Sequence, residues 1–195
     1  MLVNREAERA LRPYLADGEQ LLWIGRPDPT VLFASPDLYM VPFSLVWTGF
    51  MVSFLFAGGF AFDPKFPVFA LMGAFFFAIG AYMLVGRFIY KRWRRGRTTY
   101  AVSDRSVMTL TRGIRGPVFK STEISGLHGV KLELGRGGRG SVYFGDVPWM
   151  QAYTENAGMG IFTFGTSASP VMFFDISDAR DVYALVNERR RGGQP

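Results

Sequence analysis

The chain of 195 residues has no cysteine and a single histidine. Without cysteine there are no disulfides, no thiolate nucleophiles and no zinc–thiolate sites. The one histidine, His128, lies in Gly126-Leu127-His128-Gly129 without clustered carboxylates, so it reads as a turn residue rather than a metal ligand. A serine nucleophile would have to borrow His128, and no Gly-x-Ser-x-Gly elbow exists. Asp104, Glu123 and Asp146 form no pair of meaningful spacing. No catalytic residue, metal, cofactor or small-molecule substrate is therefore expected, and the chain does not read as an enzyme. A cleavable signal peptide is not expected either, because the N-terminus is charged and the first apolar run begins late.

Charge itself is missing from two long stretches. Leu38–Phe62 holds 25 uncharged residues between Asp37 and Asp63, and Phe66–Gly86 holds 21 between Lys65 and Arg87. A helix rises about 1.5 Å per residue, so roughly 20 apolar residues cross a hydrocarbon core about 30 Å thick. The break, Asp63-Pro64-Lys65, has room only for a tight turn. The pattern predicts a transmembrane helical hairpin with spans at about 38–62 and 66–88. Pro42 and Pro67 fall in the expected first turns, where a missing N–H is tolerated. Close helix packing in lipid needs small residues. Ala70, Gly73, Ala74, Gly80 and Ala81 of the second span are expected to meet Ser44 and Thr48 of the first.

A block of cations closes the hairpin: Arg87, Lys91, Arg92, Arg94, Arg95 and Arg97, with Trp93 among them. Segments rich in Lys and Arg stay in the cytoplasm, which places both chain ends there. The same block is a candidate surface for anionic lipid. Residues 1–97 carry 11 basic and 7 acidic side chains (net +4), and residues 98–195 carry 11 and 9 (net +2). The excess thus sits beside the apolar spans, which points to membrane lipid rather than nucleic acid.

Ahead of the hairpin, residues 1–37 read as an amphipathic helix through about residue 18, lying on the protein or on lipid, and a short strand, Gln20–Ile24. Its Trp23 is expected either at headgroup level or buried in the protein. From residue 98 the apolar period switches to two, as in Val130-Lys131-Leu132-Glu133-Leu134. Seven strands are predicted within residues 98–195: Thr98–Val102, Val107–Thr111, Val118–Thr122, Val130–Leu134, Ser141–Phe144, Ile161–Phe164 and Val171–Phe174. A long loop is expected over Val147–Gly160, with Trp149 and Met150 packed on something, and a terminal helix over about 178–191, capped by Ser177 or Asp178. Gly135-Arg136-Gly137-Gly138-Arg139-Gly140 matches a dinucleotide-binding G-x-G-x-x-G, but a strand follows it instead of a helix. It reads as a hairpin loop with two arginines.

The segments Leu15–Pro27, Thr99–Arg105, Ile124–Leu127 and Phe174–Ile176 together resemble the bacterial pleckstrin-homology (bPH) domain family of integral membrane proteins. The resemblance implies a membrane α + β chain: a two-helix hairpin, then a seven-stranded bent sheet pair capped by a C-terminal helix. It also implies a binding or assembly module, an accessory subunit of a membrane complex or a self-associating protein. The basic residues that phosphoinositide-binding relatives carry at the first hairpin are missing from Ser103-Asp104-Arg105, so that ligand is not expected. The alternative function is a sensor of anionic headgroups through the basic segment.

Overall fold

The computed structural model describes residues 2–31, 33, 37–57, 67–114, 116–135, 139–159 and 170–192. Two compact units emerge, one of residues 1–31, 92–152 and 163–195 and one of residues 32–91 and 153–162.

The first unit is a β module. Strand β1 (Leu21–Gly25) pairs antiparallel with β2 (Thr98–Ser103), which pairs with β3 (Ser106–Gly113), which pairs with β4 (Gly116–Glu123). A second antiparallel sheet runs β5 (Val130–Leu134), β6 (Gly140–Phe144), β7 (Met172–Ile176). The described strands therefore number seven, but one comes from the N-terminal segment and six from residues 98–192. The N-terminal residues thus belong to the sheet instead of forming a separate lead-in. Ile161–Phe164, expected as a strand, lies outside the described residues.

Side-chain alternation explains the layering. Tyr100 and Val102 of β2 point into a core with Val107, Val142, Phe144, Phe173 and Ile176. Helix α6 (Ala179–Gly192) covers this core with Ala179, Val182 and Val186, the apolar stripe its spacing implies. Ala101, Met108 and Leu110 face the other way and are covered by Leu11 of helix α1 (Leu2–Leu11). β2 is consequently buried along its whole length. The amphipathic N-terminal helix lies on the protein.

Trp23 is half-buried and packs against the same core. It stacks on Phe173 at 5.6 Å, and its Nε1–H donates to Asp178 Oδ2 at 2.6 Å. Glu19 closes the β2–β3 turn. Burial alone would raise its pKa, but hydrogen bonds from the Ser103 and Ser106 hydroxyls and the Ala16 N–H hold the carboxyl below its ordinary value.

The second unit is built on two apolar helices. Helix α2 spans Asp37–Ala57. Helix α3 spans Pro67–Ala81 and continues through a π turn (Tyr82–Gly86) into α4 (Arg87–Arg95). Both runs, Asp37–Phe56 and Pro67–Arg95, are long and apolar enough to cross a membrane. Helix α2 starts one residue earlier than its uncharged stretch, because Asp37 suits the positive end of the helix dipole. Pro42 therefore falls in the helix interior. The basic segment continues the helix as far as Arg95, and the chain passes from one unit to the other within it. The connection Asp63-Pro64-Lys65 lies outside the described residues.

The expected loop at Val147–Gly160 instead contains helix α5 (Trp149–Asn156). Trp149 and Met150, expected to pack, are exposed, while Ala157 and Gly158 just beyond the helix are buried. Pro148 supplies the start: its carbonyl accepts the Gln151 and Ala152 N–H groups.

Candidate functional site

Helix α4 carries Arg87, Lys91 and Arg95 at four-residue spacing, so they share one face. All three are buried. The sequence pattern identified the cluster, but spacing alone did not show that half of it points inward.

In the helical unit, Arg87 is fully buried. Its Nε–H donates to the Met83 carbonyl at 2.6 Å, and its Nη1 forms an ion pair with Asp37. Lys91 Nζ reaches the other Asp37 oxygen at 3.5 Å. The guanidinium also lies over the Phe88 ring at 4.3 Å. The π turn widens the helix just ahead of Arg87, and Tyr82 within it donates its hydroxyl to the Gly158 carbonyl at 2.8 Å. Gly158 adopts φ +79°, and a Cβ there would sit 2.7 Å from the Arg87 carbonyl oxygen. Only glycine fits such a backbone approach without strain. Burial raises the pKa of the neighbouring Tyr153 hydroxyl, while Arg87 pulls it the other way. The result is one carboxylate shared by two buried cations.

In the β unit, Arg95 pairs with Asp175 and donates to the carbonyls of Asp28, at 3.3 Å, and Val31. Asp175 stands at φ +49°, the one described non-glycine residue with positive φ. That conformation aims its carboxylate at Arg95 while its carbonyl accepts the Asp28 N–H at 3.1 Å. Asp28 in turn binds Arg139 at 2.7 Å. Hydrogen bonds from Thr30 hold the Asp28 carboxyl below the ordinary range, and the charges of Arg139 and Arg95 lower it further. Arg139, read as a loop cation, is therefore engaged internally; Arg136 lies outside the described residues.

Of the six cations, Arg92 and Arg97 remain exposed and Arg94 is half-buried. Arg97 lies over the Trp93 ring at 4.5 Å.

The small residues of α3 divide in the same way. Gly73 and Gly80 are buried against α2. A Cβ on Gly73 would overlap the Leu55 side chain, and one on Gly80 would lie 2.6 Å from Thr48 Oγ1. Ser44 is buried, its hydroxyl donating to the Met40 carbonyl at 2.5 Å. Ala70 is half-buried, whereas Ala74 and Ala81 are exposed. The interface is therefore a seven-residue glycine repeat, narrower than the five-residue set suggested by spacing.

Asp104 accepts the Gln20 N–H at 2.9 Å, and Asp146 borders an open groove with Lys131. Among the described residues no three His, Cys, Asp or Glu side chains gather as a metal site would require. His128 is exposed. Comparison with protein-family models, curated proteins and solved structures finds no match to this chain.

Proposed function

We propose that this chain is a non-enzymatic, membrane-anchored binding module. In this reading α2 and α3 cross a bacterial inner membrane as a hairpin, both chain ends are cytoplasmic, and the β unit is a pleckstrin-homology-like domain. The module serves as an accessory or assembly subunit of a larger membrane complex, or associates with its own copies. Membrane lipids and an integral membrane partner are its contacts; nucleic acid and small-molecule substrates are not.

The observation that carries this reading is the outward face of the helices. Only 17% of the most apolar window of each is buried. A core helix of a soluble protein buries most of such a window. Phe43, Phe50, Phe54, Phe56, Phe75 and Phe77 instead stand exposed, as lipid or a membrane partner requires.

The test is purification in mild detergent with chemical crosslinking beforehand, together with reporter fusions at both ends. Recovery of crosslinked partners or oligomers and cytoplasmic reporters is the expected result. A monomer that dissolves without detergent would overturn the proposal. A second reading, sensing of anionic headgroups, has the exposed Arg92 and Arg97 in its favour. It is weaker than the sequence alone suggests, since Arg87, Lys91 and Arg95 are turned inward.

A further inference from the structure

We infer that the tip of the β3–β4 hairpin touches an anionic lipid leaflet, an inference that rests on the membrane anchorage proposed above. Gly113 and Gly116 are register partners, so Ile114 lies at the tip of the hairpin. Two-residue hairpin turns favour Asn, Asp or Gly and disfavour β-branched residues. Ile114 nevertheless stands at this point and is 88% exposed, the highest value among the large apolar side chains described. Val118, a short way down β4, is 51% exposed. Neither side chain belongs to the two buried cores of the β unit.

Several arginine positions adjoin the base of this hairpin, tied to it by backbone and threonine hydrogen bonds. The Arg112 N–H donates to the Arg97 carbonyl at 3.0 Å. The Thr111 and Thr98 hydroxyls are 3.1 Å apart, and Thr98 Oγ1 donates to the Arg94 carbonyl at 2.9 Å. The base of the hairpin is thereby joined to the last turn of α4. Arg94, Arg97 and the exposed Arg112 share one end of the β unit with Ile114, and Arg115 adds a further positive charge next in sequence.

An apolar tip among cations matches the boundary of a bilayer, where basic side chains attract anionic headgroups and the apolar side chain enters the acyl region. The leaflet is favoured over an acidic protein or RNA because of covalent continuity. The chain that enters this end of the β unit continues directly from the run Pro67–Arg95, which is long and apolar enough to cross a membrane.

The absence of native cysteine allows a direct test. Ile114→Cys in the full chain is labelled with an environment-sensitive dye and reconstituted into phosphatidylcholine vesicles with and without phosphatidylserine. Ser125→Cys, exposed beyond the opposite end of β4, is the reference. The expected result is a blue shift and quenching by lipid-borne nitroxide at position 114, larger with phosphatidylserine, reduced by salt, and absent at position 125. If both positions stay aqueous while the chain resists alkaline extraction, the tip contact is overturned and the anchorage stands. Extraction of the chain by alkali overturns both. A shift seen in detergent only when another protein or RNA copurifies overturns the lipid assignment in favour of that partner.

Discussion

Asp37 and Arg87, fifty positions apart, form a buried ion pair at one end of the two apolar helices. Lys91 shares the same carboxylate. Removing one member of a buried pair leaves an uncompensated charge and typically costs about 3–5 kcal/mol. Asp37→Asn removes the negative charge that Arg87 and Lys91 both face and is expected to lower thermal stability in detergent sharply. Asp37→Leu combined with Arg87→Met, which removes both members of the shortest pair, is expected to be milder than Asp37→Asn. Melting followed by size-exclusion chromatography distinguishes them; equal losses would argue against a coupled pair.

The Gly80–Thr48 contact predicts a crosslink. A Cβ on Gly80 would lie 3.5 Å from the Thr48 Cβ. Disulfides form at Cβ separations of about 3.5–4.5 Å. Thr48→Cys with Gly80→Cys should therefore oxidise readily within one chain, and Thr48→Cys with Ala81→Cys should not. A gel shift that differs between reducing and oxidising conditions reads the outcome.

Asp175 predicts a hierarchy of substitutions. Asn tolerates left-handed backbone about as well as Asp but lacks the charge for Arg95. Asp175→Asn is expected to cost about 1.5–3 kcal/mol, the usual range for a charge-assisted hydrogen bond. Asp175→Val, which adds β-branching at positive φ, should be worse. Thermal unfolding monitored by tryptophan fluorescence, to which Trp23 beside Phe173 contributes, is a suitable readout. If Val is tolerated as well as Asn, backbone strain has no role there.

Tyr100 and Glu19 set opposite pH limits. Burial, opposed only in part by the Phe174 N–H, pushes the Tyr100 hydroxyl up to about 12 from 10.0. A raised acid pKa means that the folded state holds its proton longer. The associated stability is complete below pH 10 and is lost as pH rises toward about 12. For Glu19 the folded pKa lies below 4.5, so its contribution is present above that value and is lost as pH falls through the folded pKa. Tyr100→Phe should flatten the alkaline limb of a stability–pH curve and Glu19→Gln the acidic limb. An unchanged limb in either variant would remove that residue as the cause.

Much of the architecture was legible because it follows from local patterns. Alternation at Val130–Leu134 marked β5, and the apolar spacing of Val182 and Val186 marked α6. The loop expectation for Val147–Gly160 failed because α5 is short and weakly patterned, and Trp149 suggested burial where the structure exposes it. The N-terminal strand was recognised as a strand, but its place in the sheet depends on β2, more than seventy residues away.

The amino-acid order by itself determined the two uncharged helices and the basic segment behind them, since length and missing charge are properties of single segments. It also determined the two-residue alternation of the β unit. Which cations turn inward was decided only by the fold. Arg87, Lys91 and Arg95 resemble Arg92, Arg94 and Arg97 in sequence, and a buried cation needs a carboxylate that the chain brings from elsewhere. Asp37 and Asp175 supply it from positions that local spacing cannot pair.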